Sequence, residues 1–181
     1  MEEVRGNMLE LERTFLAKYL PELEGCEKVR IKDIYVPVDM KHPVIRIRMK
    51  GDSYMITKKE PEDGDASAQN EYTIPLTEEE FRAFEGVEGK ELVKVRYYMD
   101  WKERTAEIDV FGGKLEGLVL VDFEFDTKEE KENFEPPGFC LADVTQEEFI
   151  AGGMLCGKSY GDIKKKLEKW NYEPVGTDRN I

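Results

Sequence analysis

Apolar and polar residues alternate with a period of two along most of the chain, the pattern of strands buried on one face. Residues 8–15 (MLELERTF) and 29–38 (VRIKDIYVPV) are the first two such stretches. Residues 43–59 (PVIRIRMKGDSYMITKK) predict a hairpin turning at Gly51 and Asp52. A polar, acidic loop is expected over 60–70 (EPEDGDASAQN), then a strand over 71–76. The period lengthens at 77–86 (TEEEFRAFEG), where Thr77 and Glu80 predict a capped helix. Three more alternating stretches follow: 90–100 (KELVKVRYYMD), 105–113 (TAEIDVFGG) and 118–126 (LVLVDFEFD). Short helices are predicted over 127–134, 145–152 and 159–170; in the last, Ile163, Leu167 and Trp170 form one apolar stripe. The sum is an α+β chain: about eight antiparallel strands, expected to close into a barrel, with helices mostly toward the end.

The 181 residues read as a single domain spanning 1–181, with no internal repeat and no linker. Charged residues make up 37% and the net charge is −13, which argues against nucleic acid or an anionic membrane as partner. No apolar run approaches a membrane span, and the acidic start does not resemble a signal peptide. Cys26, Cys140 and Cys156 form no C-x-x-C pair, which favours reduced thiols and a cytoplasmic location. With His42 as the one histidine, a histidine-based metal site or catalytic dyad is set aside.

One stretch carries a familiar phosphate-binding pattern. Residues 152–159 (GGMLCGKS) fit G-x-x-x-x-G-K-S letter for letter. The pattern works only where a strand feeds the loop and a helix leaves it. Here the preceding residues read as helix, and too little chain remains afterwards for the βαβ units such an enzyme needs. The match is set aside as a nucleotide-binding loop.

The informative feature is the sorting of charges by strand. Residues i and i+2 of a strand share a face. Glu10 with Glu12, Glu107 with Asp109, and Asp122 with Glu124 are acid pairs; Arg46 with Arg48, and Lys94 with Arg96, are basic pairs. Lys59 ends its strand on the face of Thr57 and Met55. An ordinary wet face would mix signs and include Ser, Thr and Gln. Like charges side by side repel unless a counter-ion lies between strands, so acid pairs suit hard divalent cations and basic pairs suit polyphosphate oxygens.

These residues resemble the CYTH proteins, the triphosphate tunnel metalloenzymes. ELERTFL is similar to that family's E-x-E-x-K opening, IRIR to its R-x-R strand, and YMITKK to the next strand with its closing lysine. KVRYY is similar to the K-x-R strand, EIDVFGGKLEGLVLVDFEF to the long acidic hairpin, and PPGF with DVT to the segment after it. The resemblance spans nearly the whole chain. It implies an eight-stranded antiparallel tunnel that binds inorganic triphosphate or nucleoside triphosphates with Mg²⁺ or Mn²⁺. Carried over by position, Glu10, Glu12, Asp122 and Glu124 would hold metal, with Glu10, Glu12 and Glu124 serving catalysis. Arg46, Arg48, Lys59, Lys94 and Arg96 would bind the phosphate chain, and Glu71, Glu107 and Asp109 would hold these bases in place or assist a second metal. The leading expectation is hydrolysis of inorganic triphosphate or a related triphosphate. The alternatives are a class IV adenylate cyclase-like enzyme and a non-catalytic polyphosphate or nucleotide binder. A homodimer is left open. The chain departs from the pattern at Thr14, where the family has lysine, and at Gly152-Gly153, where relatives tend to carry asparagine; Lys158 would then be one more cation near the tunnel end.

Overall fold

The computed structural model describes residues 8–41, 45–62 and 65–177, with 8–10, 59–62 and 65–70 described by backbone alone. His42 lies outside the described residues. In chain order the elements are β1 (Met8–Ala17), β2 (Glu27–Val36), β3 (Ile45–Lys50), β4 (Ser53–Glu62), β5 (Asp65–Leu76), α1 (Glu78–Phe84), β6 (Lys90–Trp101), β7 (Arg104–Phe111), β8 (Val119–Phe125), α2 (Lys128–Glu132), β9 (Cys140–Asp143), α3 (Gly152–Leu155) and α4 (Tyr160–Leu167). β1 to β8 fall on the eight alternating stretches read from the sequence. The capping box at Thr77 and Glu80 forms as expected, and two more start α2 at Thr127 and α4 at Ser159.

The strands form one nine-stranded sheet in the order β5-β4-β3-β2-β6-β7-β8-β1-β9. It curls until β5 meets β1, but only Met8 to Leu11 pair across that seam. The closed eight-stranded barrel expected from the sequence is therefore corrected to a curled, nine-stranded antiparallel sheet flanked by helices. The physical reason is β9, a strand not foreseen. Along Phe15 to Ala17 it occupies the edge of β1 that a closing strand would need.

Two further expectations change. Of the acidic loop expected over 60–70, residues 60–62 and 65–70 are strand: β4 runs to Glu62 and β5 begins at Asp65, because a ladder partner outweighs the polar composition. The helix expected over 145–152 reduces to a 3-10 turn, Glu148–Ile150, and the four-residue α3 starts at Gly152. No strand feeds the GGMLCGKS stretch.

Packing sorts the two faces. On the outer face Leu11, Phe15, Ile108, Val121 and Phe123 pack with Phe134 and Phe139, and Phe81 of α1 covers Ile34 and Ile47. The inner face carries the charges over most of its length and turns apolar at one end. There Leu16, Tyr35, Leu92, Phe111 and Leu120 meet Phe149, Ile150 and Leu155, with Ile163 and Leu167 of α4 behind them.

Candidate active site

Strand register alone gathers the predicted charges. Arg48 stands opposite Asp33, Arg96 opposite Asp109, Glu107 opposite Asp122, Glu124 opposite Glu12 and Lys59 opposite Glu71. With the i, i+2 rule, this parity puts Glu10, Glu12, Arg46, Arg48, Lys59, Glu71, Lys94, Arg96, Glu107, Asp109, Asp122 and Glu124 on the one inner face. Of Glu10 and Lys59 only the backbone is described. Among the described residues no helix covers this face along its charged part. Its burial comes from the sheet curling over it, so the charges line a trough.

Arg96 is the hub. Its Nε and Nη2 each donate to Asp109 at 2.7 Å, Nη2 also reaches Asp122 at 3.2 Å, and Nη1 donates to Glu107. Lys94 donates to Asp109 from the neighbouring position. Burial alone would raise the Asp109 pKa, but Arg96 and Lys94 outweigh it and hold the carboxyl far below its ordinary range. Asp122 goes the other way. Burial and the charge of Asp109 push its pKa up, against the pull of Arg96, Lys94 and the Thr14 hydroxyl, which donates to it at 2.7 Å. Burial lowers the Lys94 pKa despite Asp109.

The β2–β3 wall holds a second centre. Arg48 grips Asp33 with two parallel bonds, Nε to Oδ1 at 2.6 Å and Nη2 to Oδ2 at 2.7 Å. Asp33 is 1% exposed, so water offers it no alternative partner. Burial would raise its pKa, yet Arg48 wins and holds it below the ordinary 3.8. Arg46 differs from all of these. Its side chain is 11% exposed and, among the described residues, its ion-pair partner Glu71 is at 4.0 Å. Among the described residues its buried Nε has no hydrogen-bond partner. A buried, unsatisfied guanidinium nitrogen costs energy unless an acceptor arrives.

Asp33 escaped the sequence reading because its same-face neighbours are Ile31 and Tyr35. No charged i±2 partner flagged it; the signal available was an acid inside an apolar run. It yields a pH-dependent prediction. A carboxyl whose folded pKa is depressed stabilises the fold above its unfolded pKa, and that stability is lost as pH falls through the folded value. Asp33→Asn should lower unfolding stability at pH 7 by about 3–5 kcal/mol, because Arg48 loses its buried counter-charge. The gap to the parent should narrow once pH drops below 3.8. Urea denaturation from pH 7 to pH 3 checks this, and a gap independent of pH would contradict it.

The acids cluster on the opposite wall. Glu12 and Glu124, directly opposed across β1 and β8, are like charges that a hard cation would relieve. Glu10 follows Glu12 on the same face. Among the described residues no three of His, Cys, Asp and Glu converge closely enough to enclose a metal. The oxygen-donor chemistry of Glu12 and Glu124 is of the kind that hard divalent cations take. Lys158 is exposed, beyond the apolar end of the trough. Among the described residues no helix is long and apolar enough to cross a membrane.

The trough thus sets basic residues of β3 and β6 facing acids of β1, β7 and β8, on a curled antiparallel sheet. Comparison with known proteins names the class. An inorganic triphosphatase of Nitrosomonas europaea is 31% identical over 142 residues, covering 77% of this chain and 91% of that protein. An inorganic triphosphatase of Acetivibrio thermocellus is 26% identical over 156 residues, covering 86% of this chain and 98% of that protein. The crystal structure of the inorganic triphosphatase NE1496 matches with a TM-score of 0.61 at 26% identity, over 81% of this chain and 93% of that one. No family model matches the chain. The chain belongs to the CYTH family, the triphosphate tunnel metalloenzymes.

Proposed function

We propose that this protein is a metal-dependent hydrolase of inorganic triphosphate or a closely related triphosphate, bound in the charged trough. The observation that carries this reading is Arg46, a buried cation whose Nε lacks a partner among the described residues, beside the Asp33-anchored Arg48. A polyanion lying along the β3 wall would supply the missing acceptors. Similarity to the two inorganic triphosphatases supports the same substrate class.

Each residue then has a physical task. Arg46 and Arg48, with Lys59, neutralise phosphate oxygens. Arg48 keeps N–H groups beyond the two that Asp33 accepts, so Asp33 fixes the guanidinium without using it up. Lys94 and Arg96 hold positive charge at the centre of the trough, and Asp109, Glu107 and Asp122 hold Arg96 in place. Glu10, Glu12 and Glu124 are the residues that would hold Mg²⁺ or Mn²⁺. Such an ion, when bound, would shield the phosphates and acidify water. Phosphoryl transfer needs little covalent help, so most of the rate would come from positioning and electrostatics.

Phosphate release from tripolyphosphate, ATP and thiamine triphosphate, each with Mg²⁺ or Mn²⁺ and again with chelator, tests the reading. Metal-dependent release from tripolyphosphate is expected. Tight binding with no turnover would instead support a non-catalytic binder.

Thr14 offers a sharper check. Its hydroxyl is bonded to Asp122, whose pKa is raised by burial and Asp109. Thr14→Lys would place a cation there, beside the reacting phosphate. The maximal rate should rise by about ten- to hundred-fold, more than binding tightens. Steady-state kinetics of the variant decide it. A fall in rate would mean that the trough is built around the Thr14–Asp122 bond and has no room for a further cation.

A further inference from the structure

Among the described residues, Arg48 and Arg96 each hold a carboxylate at 2.7 Å, whereas Arg46 has its ion-pair partner Glu71 at 4.0 Å. An arginine and a carboxylate this near, on a face largely removed from water, ordinarily close to about 2.7–2.9 Å. Something holds Glu71 back.

The restraint lies in Thr57 and Thr73. Register sets Arg46 opposite Thr57 and Thr57 opposite Thr73, so the three form one row across β3, β4 and β5. Glu71 precedes Thr73 by two residues and shares its face. The Thr73 hydroxyl donates to Glu71 Oε1 at 2.7 Å, and that oxygen is the one nearest Arg46 Nη2. A threonine has a single hydroxyl proton, and a carboxylate only accepts. The Thr73 proton is committed to Glu71, so in the 3.0 Å contact between the two hydroxyls it is Thr57 that donates. Thr57 is 1% exposed, so water does not compete for its proton. Both side chains are β-branched and stiff at χ1. The result is a fixed relay, Thr57 to Thr73 to Glu71, ending on the carboxylate oxygen that Arg46 would otherwise take.

We infer that Thr57 and Thr73 are positioning residues, which hold Glu71 off Arg46 and so keep that guanidinium open for phosphate. The inference rests on the triphosphatase reading. Neither threonine needs to touch substrate. Glu71 at 4.0 Å still lends Arg46 a compensating charge before substrate binds. It gives up no hydrogen bond with Arg46 when the anion arrives. A closed Arg46–Glu71 pair would have to break first, and phosphate would compete with a carboxylate already in place. The arrangement is the opposite of Asp33 with Arg48, where the acid fixes the guanidinium by bonding it.

A double-mutant cycle of Thr73→Val and Glu71→Gln tests this, read by calorimetric binding of tripolyphosphate with Mg²⁺ and by steady-state kinetics. Valine removes the hydroxyl and suits a strand as well as threonine does. In the parent background Thr73→Val should weaken binding and raise KM about tenfold, with kcat changed far less, because Glu71 then closes on Arg46 before substrate arrives. Thr73→Ser keeps the hydroxyl and should stay near the parent. On a Glu71→Gln background Thr73→Val should cost less than about twofold, since the competing charge is gone.

Unchanged affinity in Thr73→Val would overturn the inference. So would an equal loss in both backgrounds, which would mean that Thr73 meets substrate itself or only supports the fold. Should Thr73→Val fail to fold because the buried Thr57 proton loses its acceptor, Thr57→Val added to it removes both polar groups and carries the same expectations. A parent that binds tripolyphosphate without cleaving it would sink the hydrolase reading and leave calorimetry to judge the relay. A parent that does neither would sink the triphosphate reading altogether. The relay is then judged by a crystal structure of Thr73→Val alone. There Arg46 Nη2 should close on Glu71 from 4.0 Å to about 2.8 Å, and a separation left at 4.0 Å would overturn it.

Discussion

Arg96→Ala should destabilise the protein by about 3–5 kcal/mol at pH 7, the cost of leaving buried charges uncompensated. Arg96 satisfies Asp109 with two nitrogens and also reaches Glu107 and Asp122. Without it three carboxylates share a poorly hydrated region, with Lys94 the one cation still bonded to Asp109. Their folded pKa values would rise. A raised carboxyl pKa favours folding at low pH, and that advantage is lost as pH climbs through the folded value. The variant should thus lose stability between pH 4 and pH 7 relative to the parent, the reverse of the trend expected for most of the paired acids here. Arg96→Lys keeps the charge but loses the forked geometry, and should fall between the two. Urea denaturation at several pH values reads all three proteins. An Arg96→Ala protein as stable as its parent at pH 7 would remove Arg96 from the centre of the network.

Arg46→Ala should separate binding from folding. Among the described residues Arg46 has no bond to lose at Nε, and Glu71 is 4.0 Å away. Its removal should change stability by no more than about 1 kcal/mol, the usual range for a weakly paired ion. Yet it should cut kcat/KM for tripolyphosphate by about 100- to 1000-fold, the loss typical when one preorganised donor to a reacting oxyanion is removed. Denaturation and steady-state kinetics on the same preparation give both numbers. Loss of stability matched by retained activity would make Arg46 a structural residue and remove the main support for the functional reading.

The contrast between these two arginines also shows what the sequence discloses. Strand period two is strict, so i, i+2 charge pairs such as Arg46 with Arg48 and Asp122 with Glu124 were legible as a shared face. Which arginine is saturated and which is not depends on register between strands far apart in sequence, and no local pattern carries that. Asp33 was missed for a related reason: its partner Arg48 lies across a strand pair, not two residues away. Fold closure was misjudged because β9 is four residues, CLAD, too short to show an alternation. The residues 60–70 looked like a loop because acidic and small residues have poor strand propensity, yet pairing with a neighbouring strand decides the matter. The GGMLCGKS stretch was correctly refused as a nucleotide loop. Its packing, Gly152 against Tyr35, spans most of the chain, and no local pattern shows it.

In the proposed function, triphosphate lies in the trough along the β3 wall. The most direct measurement is a crystal structure of Glu12→Gln, chosen to slow turnover, with tripolyphosphate and Mg²⁺. The account expects phosphate oxygens within hydrogen-bonding distance of the Arg46 and Arg48 guanidinium groups, with Arg46 Nε satisfied. Tripolyphosphate held instead on the outer surface, for example in the groove beside Lys102 and Arg104, with Arg46 untouched, would contradict it.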